Sequence, residues 1–262
     1  MTHASESMHW YGRDGSPQYQ LIGANGKERP PTLRDARKLG LVPSVTSIIR
    51  CAAAPGLERW KQEQVLMAAL TLPRNPDEPE AIWLRRVMQD SQEQGRKAAD
   101  RGTAIHAAIQ GSYEGKHPGD TYLPHTLAAD GAITEWLKMK SGLSVEAERS
   151  FAHPLGYGGK VDLYGYPPNF VADFKTKEFD ANAELKTFDE HAMQLAAYRE
   201  GLEMPDARCA IVYVSASVPG LARLIEIEKE DLEKGWEMFQ GLLSYWQAKS
   251  GYVSAFEEAI AA

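Results

Sequence analysis

The stretch that decides the fold of this protein is "GYGGKVDLYGYPPNFVADFKTK", residues 156–177. Two runs of β-forming residues flank the turn-forming "YPPN" of residues 166–169, which predicts two neighbouring strands joined by a turn. Side chains alternate between the two faces of a strand, so Asp173 and Lys175 lie on the same face. Asp162 lies on the preceding strand, and the turn brings it towards them. The sequence therefore predicts that two carboxylates and one ammonium group converge at one edge of a sheet.

The two converging carboxylates need a compensating charge. Like charges a few ångströms apart destabilise each other unless a cation lies between them, and oxygen ligands suit Mg²⁺ or Mn²⁺. We therefore expect Asp162 and Asp173 to bind one or two such ions, which would activate water or polarise a phosphodiester. Lys175 would orient the attacking water or stabilise the negative charge that develops on the phosphate. The alternative is a patch of ion pairs on a solvated strand face.

These two runs resemble the signature of the PD-(D/E)XK nuclease superfamily. Asp162 matches the first acidic position, and "DFK" of residues 173–175 matches the D/E-x-K element. Two further segments resemble the RecB-like branch: "RGTAIHAAI" of residues 101–109 and "QLAAY" of residues 194–198. The resemblance covers roughly residues 95–215 and implies a restriction-endonuclease-like core, with a central mixed sheet flanked by helices.

The resemblance also implies that His106 is a metal ligand beside Asp162 and Asp173. Because imidazole suits Mn²⁺ better than Mg²⁺, a histidine ligand predicts that Mn²⁺ can substitute for Mg²⁺. Gly102, one turn before the histidine, is expected to let its helix approach the sheet closely. A lone histidine on an apolar helix can also be a plain core residue, and that alternative stays open.

Gln194 and Tyr198 are four residues apart, so they lie on one face of a predicted helix. The resemblance implies that this pair supports the active-site lysine or contacts DNA near the scissile phosphate. The alternative is an amphipathic helix that packs Leu195 and Tyr198 inward without a role in chemistry.

Further candidate DNA contacts lie in the N-terminal half. The segment "LVPSVTSII" of residues 41–49 resembles one that precedes the catalytic core in phage-type exonucleases. Ser44 and Thr46 could bind a phosphate at a helix start, although a plain helix cap uses the same residue types. The basic candidates for backbone contacts are Arg85, Arg86, Arg96, Lys97 and Arg101, and the candidates for base stacking are Trp60 and Trp83.

The order of the other patterns predicts an α/β protein with a helical N-terminal region. Residues 1–42 are predicted to form an appendage of a hairpin, with its turn at Asn25-Gly26, and a helix. Residues 43–262 are predicted to form the nuclease domain, with a helical part (43–142) and a sheet-containing core (143–262). The helical part includes a long helix interrupted or bent near Gly95 and Gly102, and a helix over residues 127–140. The core is predicted to hold three strands followed by a helix, a strand and a final helix.

Composition limits the functional classes. The chain has 262 residues and a formal net charge of −7, which argues against nonspecific coating of nucleic acid but allows a narrow basic groove. No apolar run approaches the roughly 20 residues of a membrane span, so we expect no membrane partner and a cytoplasmic location. Only Cys51 and Cys209 occur, so the four cysteines that hold an iron–sulfur cluster in some RecB-like exonucleases are missing.

We therefore expect a Mg²⁺- or Mn²⁺-dependent deoxyribonuclease that acts as an exonuclease on DNA ends, in phage recombination or DNA repair. The preference for exonuclease activity comes from the family resemblance, which also suggests a single-strand annealing protein as a partner. A site-specific or structure-specific endonuclease is one alternative. A nuclease-like module that binds nucleic acid without cutting is the other.

Overall fold

A computed structural model describes residues 9–53, 55–138 and 144–253 of the chain. The N-terminal segment contains short elements: β1 (Trp10–Tyr11), β2 (Leu21–Ile22), β3 (Glu28–Arg29), α1 (Leu33–Leu39), β4 (Val42–Pro43) and α2 (Val45–Ile49). The predicted hairpin is confirmed, since β2 and β3 pair antiparallel around Gly26, whose φ of 72° only glycine adopts readily. The predicted helix before Gly40 is α1, and Gly40 ends it in the left-handed conformation.

Three helices follow: α3 (Pro55–Thr71), α4 (Glu80–Tyr113) and α5 (Leu123–Leu137). The predicted long helix is α4, which runs unbroken through 34 residues, so the helix is not interrupted at Gly95 or Gly102. A glycine inside a helix costs only about 1 kcal/mol relative to alanine, which packing and the other residues of α4 offset. The predicted start of the third helix at residue 127 is late by one turn, because Pro124 is accommodated in the first turn of α5.

The remaining chain forms a five-stranded mixed sheet. Its elements are β5 (Ser144–His153), β6 (Tyr157–Tyr166), β7 (Phe170–Lys177), α6 (Asp189–Gly201), β8 (Arg208–Ser215), β9 (Ala222–Ile227) and α7 (Lys229–Ser250). The strand order is β5-β6-β7-β8-β9, in which only β7 and β8 are parallel. The helix α6 supplies the crossover that a parallel pair needs. Four of these five strands were predicted from the sequence, and β9 was not.

Helices cover both faces of this sheet. One core packs α2, α6 and α7 against side chains such as Val171 and Ile211, and the other packs α4 and α5 against Ala172 and Val212. The strands alternate between these two cores, as expected for a sheet buried on both sides. The chain is thus a mixed α/β protein with a helical N-terminal region.

The N-terminal segment shares its core with the C-terminal helix. Trp10 is fully buried, and its ring packs edge-on against Trp246 and Tyr252 at centroid distances of 6.1 and 6.5 Å. The Tyr252 hydroxyl donates a 2.5 Å hydrogen bond to the carbonyl of Leu41. The predicted boundary between residues 42 and 43 falls inside β4, so the two sides of that boundary are joined by one core.

A membrane-spanning helix must be both long and apolar. None of the helices within residues 9–53, 55–138 and 144–253 meets both requirements.

Candidate active site

The candidate site lies where β6 and β7 separate. The two strands pair only through residues 163–165 and 170–172, and the next residue of each strand towards the gap is Asp162 or Asp173. The Oδ2 atom of Asp162 accepts a 2.9 Å hydrogen bond from the backbone N–H of Phe174, so a side chain replaces the missing ladder partner there. The diverging strands therefore hold both carboxylates beside a gap in the sheet, as the sequence pattern predicted.

His106 reaches this gap from α4, which crosses the sheet face. Its Nε2 atom lies 3.0 Å from Asp162 Oδ2. The hydrogen bond to Asp162 raises the pKa of His106 above its usual value, against the opposing effect of burial. The neighbouring residue Ile105 packs in the core, whereas the His106 side chain remains partly exposed. The plain core-histidine alternative therefore does not describe His106.

A third ligand-type side chain joins this pair. Within the described residues, one group of histidine, cysteine and acidic side chains has its ligand atoms within 4.8 Å of one another: His106, Glu148 and Asp162. We call this group the triad. The flanking pairs Ala147–Leu163 and Arg149–Val161 place Glu148 directly opposite Asp162. Asp173, which the sequence analysis predicted as a ligand, lies outside the triad.

Asp173 instead belongs to a hydrogen-bonded network with Lys175 and the helix α6. Lys175 Nζ lies 2.8 Å from Asp173 Oδ2 and donates a 3.0 Å hydrogen bond to Gln194 Oε1. The amide nitrogen of Gln194 donates to Asp173 Oδ1 at 2.7 Å and to the Tyr198 hydroxyl at 3.0 Å. This orientation of the amide matches its oxygen to the ammonium and its N–H groups to the carboxylate. The predicted pairing of Gln194 and Tyr198 with the lysine site is therefore present.

Burial and charge act against each other in this network. Burial raises the pKa of Asp173 to about 6, although Lys175 beside it favours the charged form. Burial lowers the pKa of Lys175, but the adjacent Asp173 outweighs it, so the pKa lies above its usual value. Lys175 is thus held as a cation, and it lies next to a carboxylate that is nearly inaccessible to solvent.

A cleft of about 610 Å³ lies beside this network, and Lys175 is the member of the network that lines it. It is lined by α4 on one side and by the sheet on the other, with His106, Lys160 and Lys175 among its polar residues. Gly102 also lines it, but the predicted close approach is wrong. A Cβ atom built on Gly102 would meet its nearest neighbour, the Cβ of Thr176, at 3.7 Å, which is an ordinary contact that alanine could also make.

The donor set of the triad suits a divalent ion. It combines one imidazole with two carboxylates, and Mn²⁺ accepts both ligand types while Mg²⁺ prefers the oxygens. Both carboxylate oxygens of Glu148 are buried without a hydrogen bond of acceptable geometry, although Lys160 Nζ contacts Oε2 as an ion pair. A cation held by the triad would satisfy these buried oxygens, which is the usual resolution of such a group.

Ser44 and Thr46 are placed at the start of α2, as predicted. Ser44 is buried and caps the helix: its Oγ accepts a 3.1 Å hydrogen bond from the N–H of Ser47 and donates a 2.8 Å hydrogen bond to the Ser47 hydroxyl. The predicted phosphate contact of Ser44 is therefore not supported, because the hydroxyl serves as the cap. Thr46 remains partly exposed.

Of the predicted basic and aromatic DNA contacts, Arg86 and Trp83 have structural partners, whereas Arg85, Arg96 and Lys97 are exposed at the surface. Arg86 pairs with Glu78 at 2.9 Å, and Lys97 pairs with Glu93 at 3.0 Å. Arg101 does not line the cleft within the described residues; it lies 3.8 Å from Glu178 across the gap from α4 to the end of β7. The indole N–H of Trp83 donates to the Leu72 carbonyl at 2.7 Å, whereas Trp60, near Gly95, keeps an exposed ring.

Glu148 is a member of the triad whose role was not predicted from the sequence. Its position follows from the hairpin of β5 and β6, in which His153 pairs with Tyr157 and the register is symmetric about Leu155. Counting seven residues outward from Leu155 gives Glu148 on one strand and Asp162 on the other. A signal therefore existed in "HPLGY" of residues 153–157, where proline and glycine mark the turn.

Comparison with known proteins adds little to this geometry. No protein-family model and no curated protein matches the chain. Among solved structures, one described as "Crystal structure of SSO0001" aligns at 17% identity with a TM-score of 0.25. That alignment covers 44% of this chain and 55% of the other, so the match spans about half of the solved structure.

Proposed function

We propose that this protein is a metal-dependent deoxyribonuclease that removes nucleotides from DNA ends, with a restriction-endonuclease-like core. The observation that carries the proposal is the position of Lys175: its ammonium is fixed by Asp173 and Gln194 at the edge of the cleft that contains His106. A fixed cation beside a metal-type triad is suited to a reaction in which negative charge develops on a phosphate.

In this proposal the triad of His106, Glu148 and Asp162 holds the ion. A divalent cation bound there supplies Lewis-acid polarisation of the phosphodiester. Asp173 has a different role from the predicted one, because it orients Lys175 from inside the sheet. Lys175 has three N–H donors, and within the described residues its Nζ atom donates one hydrogen bond, to Gln194, and contacts Asp173 as an ion pair. A remaining N–H group can reach a phosphate oxygen or the attacking water in the cleft.

The order of elements also supports the proposed fold family. Helix α4 precedes three antiparallel strands, and α6 then crosses to the parallel strand β8. This order places His106, the two aspartates and Gln194 around a single gap. The choice of an exonuclease over an endonuclease rests on the sequence resemblance alone, and so does the proposed partner, a single-strand annealing protein. The test must therefore distinguish cutting at DNA ends from cutting within closed circular DNA.

The test is digestion of end-labelled linear DNA and closed circular DNA, each single- and double-stranded, with Mg²⁺, Mn²⁺ or EDTA. We expect metal-dependent loss of linear DNA only, and no loss with Asp173→Asn. Asp231→Asn removes the same charge from the exposed start of α7 and should cut like the wild type. Cleavage of circular DNA would favour an endonuclease. No cleavage by folded, metal-supplied protein would overturn the proposal in favour of a noncatalytic binding module.

Lys175→Ala provides a second test of the proposed chemistry. We expect a large loss of turnover with little change in metal affinity, since Lys175 is outside the triad. The turnover is measured at saturating Mn²⁺, and metal affinity is measured by calorimetry. A variant that lost metal affinity but kept its turnover would contradict the role assigned to Lys175.

A further inference from the structure

We propose that Lys160 is a resident cation of the triad, which a divalent ion displaces and which then binds a phosphate group of the DNA. The binding of a DNA phosphate by Lys160 rests on the proposed function, whereas the displacement of Lys160 by a divalent ion concerns metal binding alone. It would make metal loading a precondition for full DNA affinity.

The first supporting observation is the burial of Glu148. Its side chain is 8% exposed, and neither carboxylate oxygen accepts a hydrogen bond of acceptable geometry. Within the described residues its ion-pair partner is Lys160. A buried carboxylate without a cation is strongly unfavourable, so the ammonium supplies the charge that the site requires when no metal is bound.

The backbone of Glu148 provides a second observation. Its φ is 63°, in the left-handed region that a residue with a Cβ adopts only at a cost of about 1–3 kcal/mol. Such a conformation persists only where the surrounding structure fixes it, and such residues cluster at functional sites. Here the conformation occurs within β5, directly opposite Asp162. Pairing with a partly exposed lysine does not by itself require this conformation.

Lys160 is positioned to leave Glu148 without leaving the cleft. It lies on β6 two residues before Asp162, so the two side chains project to the same side of the strand. Its side chain is 34% exposed, and it lines the cleft with His106 and Lys175. A divalent ion at the triad would repel the ammonium and compete for the same carboxylate. The released ammonium would then face the space that a phosphate group occupies in the proposed reaction.

Two opposite effects of one substitution follow. Lys160→Gln removes the competing cation, so it should tighten metal binding. The same substitution removes a phosphate ligand, so it should weaken DNA binding. If Lys160 had a purely structural role, its substitution would not tighten metal binding while weakening DNA binding.

The experiment is calorimetric titration of Mn²⁺ into the full chain without DNA. We expect Lys160→Gln to lower the Kd for Mn²⁺ by about tenfold, the size of an effect of 1.4 kcal/mol. Lys160→Arg keeps the cation and should bind Mn²⁺ like the wild type. Lys229→Gln, which removes an exposed lysine paired with Glu233 on α7, controls for net charge. Circular dichroism confirms that each variant is folded.

DNA binding is measured by fluorescence anisotropy at saturating Mn²⁺, with Asp173→Asn present in every protein to prevent cutting. Lys160→Gln should weaken the affinity for a labelled oligonucleotide by about tenfold. Unchanged or weaker Mn²⁺ binding by Lys160→Gln would overturn the displacement, and unchanged DNA affinity would overturn the phosphate contact. Tighter Mn²⁺ binding in a protein that cuts no DNA would leave the displacement intact and remove the proposed function. No Mn²⁺ binding by the wild type would remove both.

Discussion

At the scale of single residues, Gln194 is the group on which the lysine site depends. Its one amide contacts Lys175, Asp173 and Tyr198, so every polar atom of the side chain has a partner. Removing a fully used amide from a buried position leaves the ammonium and the carboxylate without part of their coordination. Gln194 is thus a positioning residue, and it acts through Lys175.

We expect Gln194→Leu to lower kcat by roughly 10–100-fold while the affinity for Mn²⁺ changes little. Tyr198→Phe should have a smaller effect, because it removes a single partner of the amide. Both variants are compared by steady-state cleavage and by Mn²⁺ titration. Equal losses of kcat and of metal affinity would mean that Gln194 supports the triad instead of the lysine.

His191 gives a pH prediction. Burial lowers its pKa to about 4, and the N–H of Phe188 donates a 3.1 Å hydrogen bond to its Nδ1 atom. The folded state disfavours the charged form of His191, whereas the unfolded chain binds a proton at this histidine below a pKa of about 6.5. The contribution of His191 to the free energy of unfolding is therefore fully present above pH 6.5 and is lost as the pH falls towards 4. The loss is about 2–3 kcal/mol at pH 4.

The matched variant is His191→Asn, whose side-chain oxygen can accept the same hydrogen bond but does not titrate. Urea unfolding of both proteins between pH 7 and pH 4 measures the difference. The wild type should lose about 2–3 kcal/mol more stability than the variant over this range. Parallel pH profiles would show that His191 does not titrate in this way.

At the scale of elements, the packing of α7 on α6 depends on one glycine. A Cβ atom built on Gly235 would lie 2.6 Å from the backbone carbon of Ala192 in α6, far inside normal contact. Gly241 lies on the same helix with nothing within 4 Å of such a Cβ atom. Alanine substitutions at these two positions therefore distinguish the effect of close packing on stability from the effect of helix propensity.

We expect Gly235→Ala to destabilise the protein by about 1–3 kcal/mol, because α6 must move away from α7. Gly241→Ala should stabilise it by about 0.5–1 kcal/mol through helix propensity alone. Because α6 carries Gln194, the first variant should also reduce cleavage, whereas the second should not. Denaturant unfolding gives both stabilities. Similar effects of the two substitutions would contradict the close contact.

The elements also show what the sequence could and could not predict. Alternation and the "YPPN" turn were enough to bring Asp162, Asp173 and Lys175 together, because these residues are local to one hairpin. Glu148 required the register of β5 on β6, which is set by the turn at residues 153–157 and not by alternation within either strand. The strand β9 was missed because "ARLIEI" lacks a clear alternation and its pairing with β8 supplies the missing preference.

At the scale of the whole molecule, the triad joins distant parts of the chain. Its ligands lie on α4, β5 and β6, so a bound ion would connect one helix to two strands. A ligand that binds the folded state and not the unfolded chain stabilises the protein by mass action. Metal binding should therefore be visible in thermal unfolding even when no DNA is present.

At a Mn²⁺ concentration about 100-fold above its Kd, we expect about 2.7 kcal/mol of added stability. For a chain of this size, that corresponds to a rise in Tm of roughly 5–10 °C. His106→Ala and Glu148→Gln should each reduce the rise, measured by scanning calorimetry with EDTA as the reference. The same rise in these variants would place the ion elsewhere.

The contact of Tyr252 with Leu41 and Trp10 has a consequence for limited proteolysis. Tyr252, just after α7, packs on Trp10 of β1 and hydrogen-bonds to the carbonyls of Ala36 and Leu41. A protease that releases either segment therefore uncovers the apolar surface of the other. Cleavage in the N-terminal segment and cleavage near Tyr252 should therefore appear together, and a protein cut in only one of these places should be short-lived. Fragments that have lost only the N-terminal or only the C-terminal segment should be scarce on a mass spectrum taken early in digestion.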